Sequence, residues 1–204
     1  MSERARPASS GDGPVRIALL RAVNLAGRNR VGMAELRAFC ANMGLEQPRT
    51  LLQSGNVVFG EVEGRTTAAL ESLLEREAVQ RLGVGTEFFV RTTKEWEAAV
   101  AGNPFGGEAE RDPSHLLLMC LKAAPSAGDV AALQASITGR ETVRAEGRQL
   151  FITYPDGVGR SKLTAGRIER ALGTRGTARN WNTVLKLREA ARVLAAGWDR
   201  EEAR

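Results

Sequence analysis

Three polar stretches of the chain hold the residue types that bind or move charge. The first, Arg21–Arg30 (RAVNLAGRNR), has three arginines (Arg21, Arg28, Arg30), two asparagines (Asn24, Asn29) and no acid. It joins an apolar run to a helical pattern, a junction where main-chain N–H groups and the helix dipole favour an anion. The second is Gln53-Ser54-Gly55-Asn56, where Ser54 and Gly55 suit a tight turn and the two amides flank it symmetrically. Pairing of Gln53 with Asn56 is its plain structural account. The third has two pieces, GRSKL at Gly159–Leu163 and TARNWNTV at Thr177–Val184. Ser161, Lys162, Arg179, Asn180, Trp181 and Thr183 are its candidates. Guanidinium forks match phosphate, and amide side chains read base edges. Together these residues point to nucleic acid or another anion. Structural readings stand beside that one: Ser161 and Asn182 as helix caps, and Trp181 packed beneath the last helix rather than stacked on a ligand.

Charge supports a local site. The chain of 204 residues carries a net charge of +5, but residues 160–192 hold nine basic and two acidic residues. Residues 1–159 are nearly balanced, with 18 basic and 19 acidic. Only four basic residues are lysines, an arginine bias that also accompanies GC-rich genomes.

Several chemistries are excluded. His115 is the only histidine, so no multi-histidine metal centre can form; beside Pro113 at a strand start, it reads as structural. GVGRSK at Gly157–Lys162 resembles a phosphate loop but lacks the glycine that should precede the lysine. It also has Lys162 where a dinucleotide fingerprint needs its third glycine. Ser161 and Lys162 are adjacent, not spaced as in S-x-x-K enzymes. The acids are scattered along helix faces, no general base stands out, and neither a cofactor nor a metal is implied. Cys40 and Cys120 read as small buried hydrophobes, which makes the cytoplasm the expected compartment. No apolar run reaches the roughly 18 residues of a bilayer span, so no membrane partner is expected.

The elements that must position these residues follow from periodicity. After a polar arm at 1–14, expected to be disordered, Val15–Arg21 is a buried-strand candidate. Met33, Leu36, Cys40 and Met43 mark a helix closed by Gly44, and RTLLQ-SG-NVVFG a hairpin. Leu70, Leu73, Leu74, Ala78 and Leu82 mark a second helix; Thr86–Arg91 is a strand, and Thr93 caps a short helix with Trp96. Past Asn103-Pro104-Phe105 and the charged EAERDP the order repeats. A strand at His115–Leu121, a helix around Val130–Ile137 and a hairpin across Glu146-Gly147-Arg148 come first. A helix from Ser161 to Leu172, a short strand near Thr174–Arg179 and a helix with Val184, Leu187, Ala191 and Leu194 on one face complete it. The fold class is therefore α+β. It comprises two tandem ferredoxin-like halves, each β-α-β-β-α-β plus a helix with an antiparallel sheet. The halves are expected at 15–104 and 105–204.

The pieces ALLRAVNLAGRNRVGMAELR, LLQSGNVVF, Asn103-Pro104-Phe105 and GRSKLTAGRIERALGTRGTARNWNTVLKL resemble the bacterial domain of unknown function 1697 family, from about Ile17 to about Ala195. Ala22 and Ala26 stand where that family's usual form, LRGINVGG, has glycine. The resemblance implies two plait-like α+β domains and carries no assigned activity.

Three functions compete. One is a binding protein for nucleic acid or a phosphorylated ligand, held by the first loop and the basic segment. Such plaits stack bases on sheet aromatics, and only Phe88 and Phe89 are near candidates here. The second is an enzyme acting on a small anionic metabolite between the halves. In the third, the polar stretches hold the structure together and bind nothing. Oligomeric state is not legible.

Overall fold

β1 (Val15–Leu20) carries apolar residues on both faces, and in the computed structural model every residue of it, Arg16 included, is buried. The structure describes residues 15–23, 31–61 and 64–202, with side chains to residue 197. The arm at 1–14, Asn24, Arg28, Asn29 and Arg30 lie outside the described residues. After β1 come α1 (Met33–Asn42), β2 (Glu46–Leu51), β3 (Asn56–Gly60), α2 (Thr67–Leu82), β4 (Phe88–Thr92) and α3 (Thr93–Ala101). α4 (Gly106–Arg111) leads to β5 (Leu116–Leu121), α5 (Ala127–Ser136), β6 (Thr142–Glu146) and β7 (Gln149–Thr153). A 3-10 turn at Val158–Arg160, α6 (Ala165–Leu172), β8 (Gly176–Asn180) and α7 (Trp181–Glu202) complete the order.

Two four-stranded antiparallel sheets result, ordered β2-β3-β1-β4 and β6-β7-β5-β8. This is the plait order, present twice. The chain divides at Glu97/Ala98 and again at Lys186/Leu187, inside α7, so the end of that helix counts with the first unit. The expected division near Pro104 falls later than the first of these. EAERDP, part of the expected boundary, is largely α4, a helix with no buried residue and hence no apolar period to reveal it.

In the first unit, Ala18, Leu20, Val57, Phe59, Phe88 and Val90 face α1 and α2 across the core. The opposite face of the sheet is also buried at Ile17, Leu19, Val58 and Phe89. There Ile17, Trp96, Ala191 and Ala195 enclose a small cavity of about 120 Å3. In the second unit Met119, Leu121, Val143, Leu150 and Ile152 meet Leu133, Ile168 and Leu172 of the helices. Trp181 lies over the other face, its ring 6.4 Å from that of Phe151. Cys40 and Cys120 are free thiols buried one in each unit. Burial pushes the Cys40 thiol up to about 12.

Helix starts are fixed by side-chain caps, though three fall beside the expected residue. Thr92, not Thr93, caps α3: its hydroxyl accepts the Glu95 N–H at 3.0 Å, and the Glu95 carboxylate accepts the Thr92 N–H at 2.8 Å. Thr164, not Ser161, caps α6 by accepting from the Arg167 N–H. Asn180, not Asn182, caps α7: its Oδ1 accepts from the N–H and hydroxyl of Thr183 at 3.0 and 2.8 Å.

Carboxylates also cover two of the four outer strands, β4 and β8. Glu71 and Glu75, one turn apart on α2, accept the N–H groups of Val90 (2.8 Å) and Phe88 (2.9 Å) along β4. Glu169 of α6 accepts that of Gly176 at the start of β8 (2.9 Å). An edge strand offers such donors to any passing chain, and these acids occupy them.

Candidate anion-binding site

Second-unit loops place the GRSKL segment at the mouth of a cleft. β7 ends at Thr153, and Tyr154 and Gly157 turn the chain back through the Val158–Arg160 turn. Gly157 has φ 85°, and a Cβ there would lie 3.5 Å from the ring Nε2 of His115. His115 is itself held by Asp112, 2.6 Å from its Nδ1. Hydrogen bonds from Ser114 and His115 hold the Asp112 carboxyl below its ordinary range.

Ser161 then fixes the loop. Its hydroxyl donates to Glu141 at the head of β6 and accepts from the Leu163 N–H at 2.9 Å. The buried Tyr154 hydroxyl donates to the Leu163 carbonyl at 2.9 Å. Burial, helped by the charge of Glu141, pushes Tyr154 up to about 12. So Ser161 is a loop clamp, not a helix cap. Arg160, Ser161, Lys162 and Arg167 line a cleft of about 230 Å3 together with Glu141 and Asp156. Both acids are engaged, Glu141 by Ser161 and Asp156 by Arg140 at 2.9 Å. Arg167 reaches the Ser136 carbonyl and hydroxyl. Among the described residues, Arg160 and Lys162 have no ion-pair partner, and both are exposed. Sequence reasoning singled out Ser161 and Lys162 but not Arg167, Glu141 or Asp156. Arg167 lies inside the basic segment, so charge counting included it without marking it. The acids gave no signal, because only the fold brings them to the cleft.

The remaining sequence candidates are placed elsewhere. Arg179, Asn180, Trp181 and Thr183 are absent from the lining of that cleft. Arg179 donates to the Thr177 hydroxyl and the Ala178 carbonyl, both at 2.9 Å, and burial draws its guanidinium down to about 10. Asn180 and Thr183 form the cap of α7, and Trp181 is only 4% exposed. In the first unit Arg21 faces Glu87 at 3.4 Å, and its carbonyl accepts the Thr86 hydroxyl at 2.7 Å. Gln53 is exposed on the β2–β3 turn. Asn56 is fully buried, and its amide donates to the Leu51 carbonyl (3.0 Å) and the Ser54 hydroxyl (2.8 Å). Gly55, at φ 67°, lets the Leu20 N–H reach its carbonyl at 2.8 Å. A Cβ there would meet Val23 at 2.5 Å and Leu20 at 2.8 Å. The turn therefore requires both glycine and the asparagine beside it.

A family model described as protein of unknown function (DUF1697) matches residues 14–151. The chain belongs to the DUF1697 family. Among solved structures this DUF1697 chain is similar to the conserved bacterial protein SP0830 from Streptococcus pneumoniae. Identity is 22% and the TM-score 0.69, over 88% of this chain and 98% of that one. That likeness shows the fold. No curated protein matches. Among the described residues of this DUF1697 member, no helix is long and apolar enough to cross a membrane.

The DUF1697 resemblance also clarifies Ala22. It has φ 54°, in the left-handed region that glycine enters freely, and it stands where the family's usual form has glycine. Ala22→Gly is expected to raise stability by about 0.5–1 kcal/mol, the relief of left-handed strain less the extra chain entropy of glycine. Urea unfolding checks it; a destabilised variant would show that the alanine methyl contributes more than its backbone costs.

Proposed function

We propose that this DUF1697 member is a cytoplasmic bacterial binding protein for a phosphate-bearing ligand, gripped in the second unit by Arg160, Lys162 and Arg167. The observation that carries this is the imbalance within the cleft. Three basic side chains, Arg160, Lys162 and Arg167, line it against two acids, Glu141 and Asp156; Asp156 is paired with Arg140, whereas Arg160 and Lys162 have no ion-pair partner among the described residues. A guanidinium and an ammonium placed together match phosphate oxygens, through a fork and a point charge. The size agrees. Pockets for drug-sized molecules run from about 300 Å3 upward, so about 230 Å3 suits a phosphoryl group and its immediate attachment.

Recognition through phosphate rather than base also fits the aromatics. Phe88 and Phe89 are 0% exposed, so neither offers the stacking platform that plait RNA-binding modules use. Such a site reads charge and is sequence-neutral, which accommodates a nucleic-acid backbone or a small phosphate ester. The two free, buried thiols support the cytoplasmic reading.

The test is titration at low ionic strength with inorganic phosphate, a phosphate monoester and a short single-stranded oligonucleotide. Binding that weakens as salt rises is expected. In Arg160→Glu with Lys162→Glu, affinity should fall on the order of a hundredfold, about 1.4 kcal/mol for each tenfold, with the melting temperature unchanged. Equal affinity in wild type and double variant would refute the site, as would no binding of any probe by wild type.

A further inference from the structure

The two sheets present four outer strands: β2, β4, β6 and β8. Three carry a feature that blocks pairing with another chain. β2 contains Pro48, a left-handed Gln47 at φ 44° and a register shift between Glu46 and Arg49. β4 has its N–H groups capped by Glu71, Glu75 and Glu95. β8 is covered at Gly176 by Glu169 and leads straight into α7.

β6 differs. Gln134 accepts the Val143 N–H at 2.7 Å, which shows that this donor points away from β7. The Arg144 guanidinium donates to the Val143 carbonyl at 2.9 Å, so both outward groups of Val143 are occupied. Main-chain direction repeats every second residue, so the N–H and C=O of Ala145 point outward as well. Ala145 is exposed, and among the described residues nothing pairs with those two groups. Beside it, between β6 and α5, an open apolar groove of about 610 Å3 is lined by small side chains, including Pro125, Ala127, Ala131 and Ala135.

We propose that a second copy of this chain docks here, β6 against β6, about a two-fold axis through Ala145. The strand sequence, Thr-Val-Arg-Ala-Glu, is self-complementary about that point. Antiparallel pairing centred on Ala145 sets Arg144 of each copy directly across from Glu146 of the other, on one face of the joined sheet. It also lets each Ala145 N–H donate to the other copy's Ala145 carbonyl. Opposed charges across a strand pair attract, and like charges repel. An axis through Arg144 or Glu146 would set like charges face to face, and one through Val143 finds its main-chain groups already taken. The same two-fold brings both α5 helices alongside and covers both apolar grooves. A contact this short predicts a reversible dimer, about micromolar in affinity.

The test is sedimentation velocity of the full chain over a roughly hundredfold concentration range spanning that affinity. Wild type is expected to move from monomer to dimer. Arg144→Glu alone and Glu146→Arg alone should each weaken the dimer tenfold or more, on the order of one lost cross-strand charge pair made repulsive and counted twice by symmetry. The double exchange, Arg144→Glu with Glu146→Arg, should restore it, a recovery that no folding defect would produce. Ala145→Pro, which removes only the outward N–H, should leave a folded monomer by circular dichroism. A wild-type chain that stays monomeric throughout overturns the proposal. So does a dimer indifferent to both single reversals, since its contact lies elsewhere.

Discussion

Trp181→Ala is expected to destabilise the second unit by about 3–5 kcal/mol, the usual cost of truncating a buried tryptophan. The indole is 4% exposed and tilts against Phe151 with ring centroids 6.4 Å apart. Its main-chain N–H donates to the Pro113 carbonyl at 3.0 Å, tying the start of α7 to the loop before β5. Truncation leaves a cavity over the face of β7 that the helix start cannot collapse to fill without breaking the Asn180 cap. Asn182, one residue on and exposed, is the control: its alanine variant should lie within about 0.5 kcal/mol of wild type. Urea unfolding of both variants decides between packing and ligand stacking. A Trp181→Ala protein as stable as wild type but deficient in phosphate binding would return the residue to the ligand.

Glu71→Ala should cost a similar amount, about 3–5 kcal/mol, because it breaks a buried charge pair from one side. The Glu71 and Arg91 side chains are 7% and 1% exposed, with 3.5 Å between Oε1 and Nη1. The same Oε1 accepts the Val90 N–H. Alanine therefore removes a counter-charge from a buried guanidinium and uncovers a donor on the outer strand. Glu71→Gln separates these effects, since its amide oxygen can still accept from Val90. It should be the milder variant, losing the charge alone, about 1–3 kcal/mol. Equal losses for Gln and Ala in chemical denaturation would mean that the hydrogen bond to Val90 contributes nothing measurable.

Legibility in the sequence depended on how local each signal was. Gly55 between two β-rich runs marks the first hairpin, and Gly44 and Gly173, both left-handed, close their helices as such residues do. The caps were misplaced where two capping residues compete within a few positions: Thr92 with Thr93, Ser161 with Thr164, Asn180 with Asn182. Composition cannot choose among them; the path of the incoming strand does. α4 had no apolar face to show. In the sequence, Val184, Leu187, Ala191 and Leu194 form one unbroken stripe with no mark of a division, yet the contacts divide that stripe at Lys186/Leu187. At the candidate site, GRSKL was visible as charge. Glu141 and Asp156 were not, because what matters is that Ser161 and Arg140 occupy them, which is a tertiary fact.

The buried thiols have a use as chronometers. Only thiolate reacts with an alkylating reagent, and Cys40, enclosed and pushed up to about 12, offers almost none while its unit is closed. Cys120 is equally enclosed on β5. Because each unit carries a single cysteine, the alkylation rate at Cys40 times the opening of one unit, and the rate at Cys120 times the other. Matching rates across a urea series would mean that the halves open as one cooperative block. Diverging rates would rank them, with no engineered label in the chain.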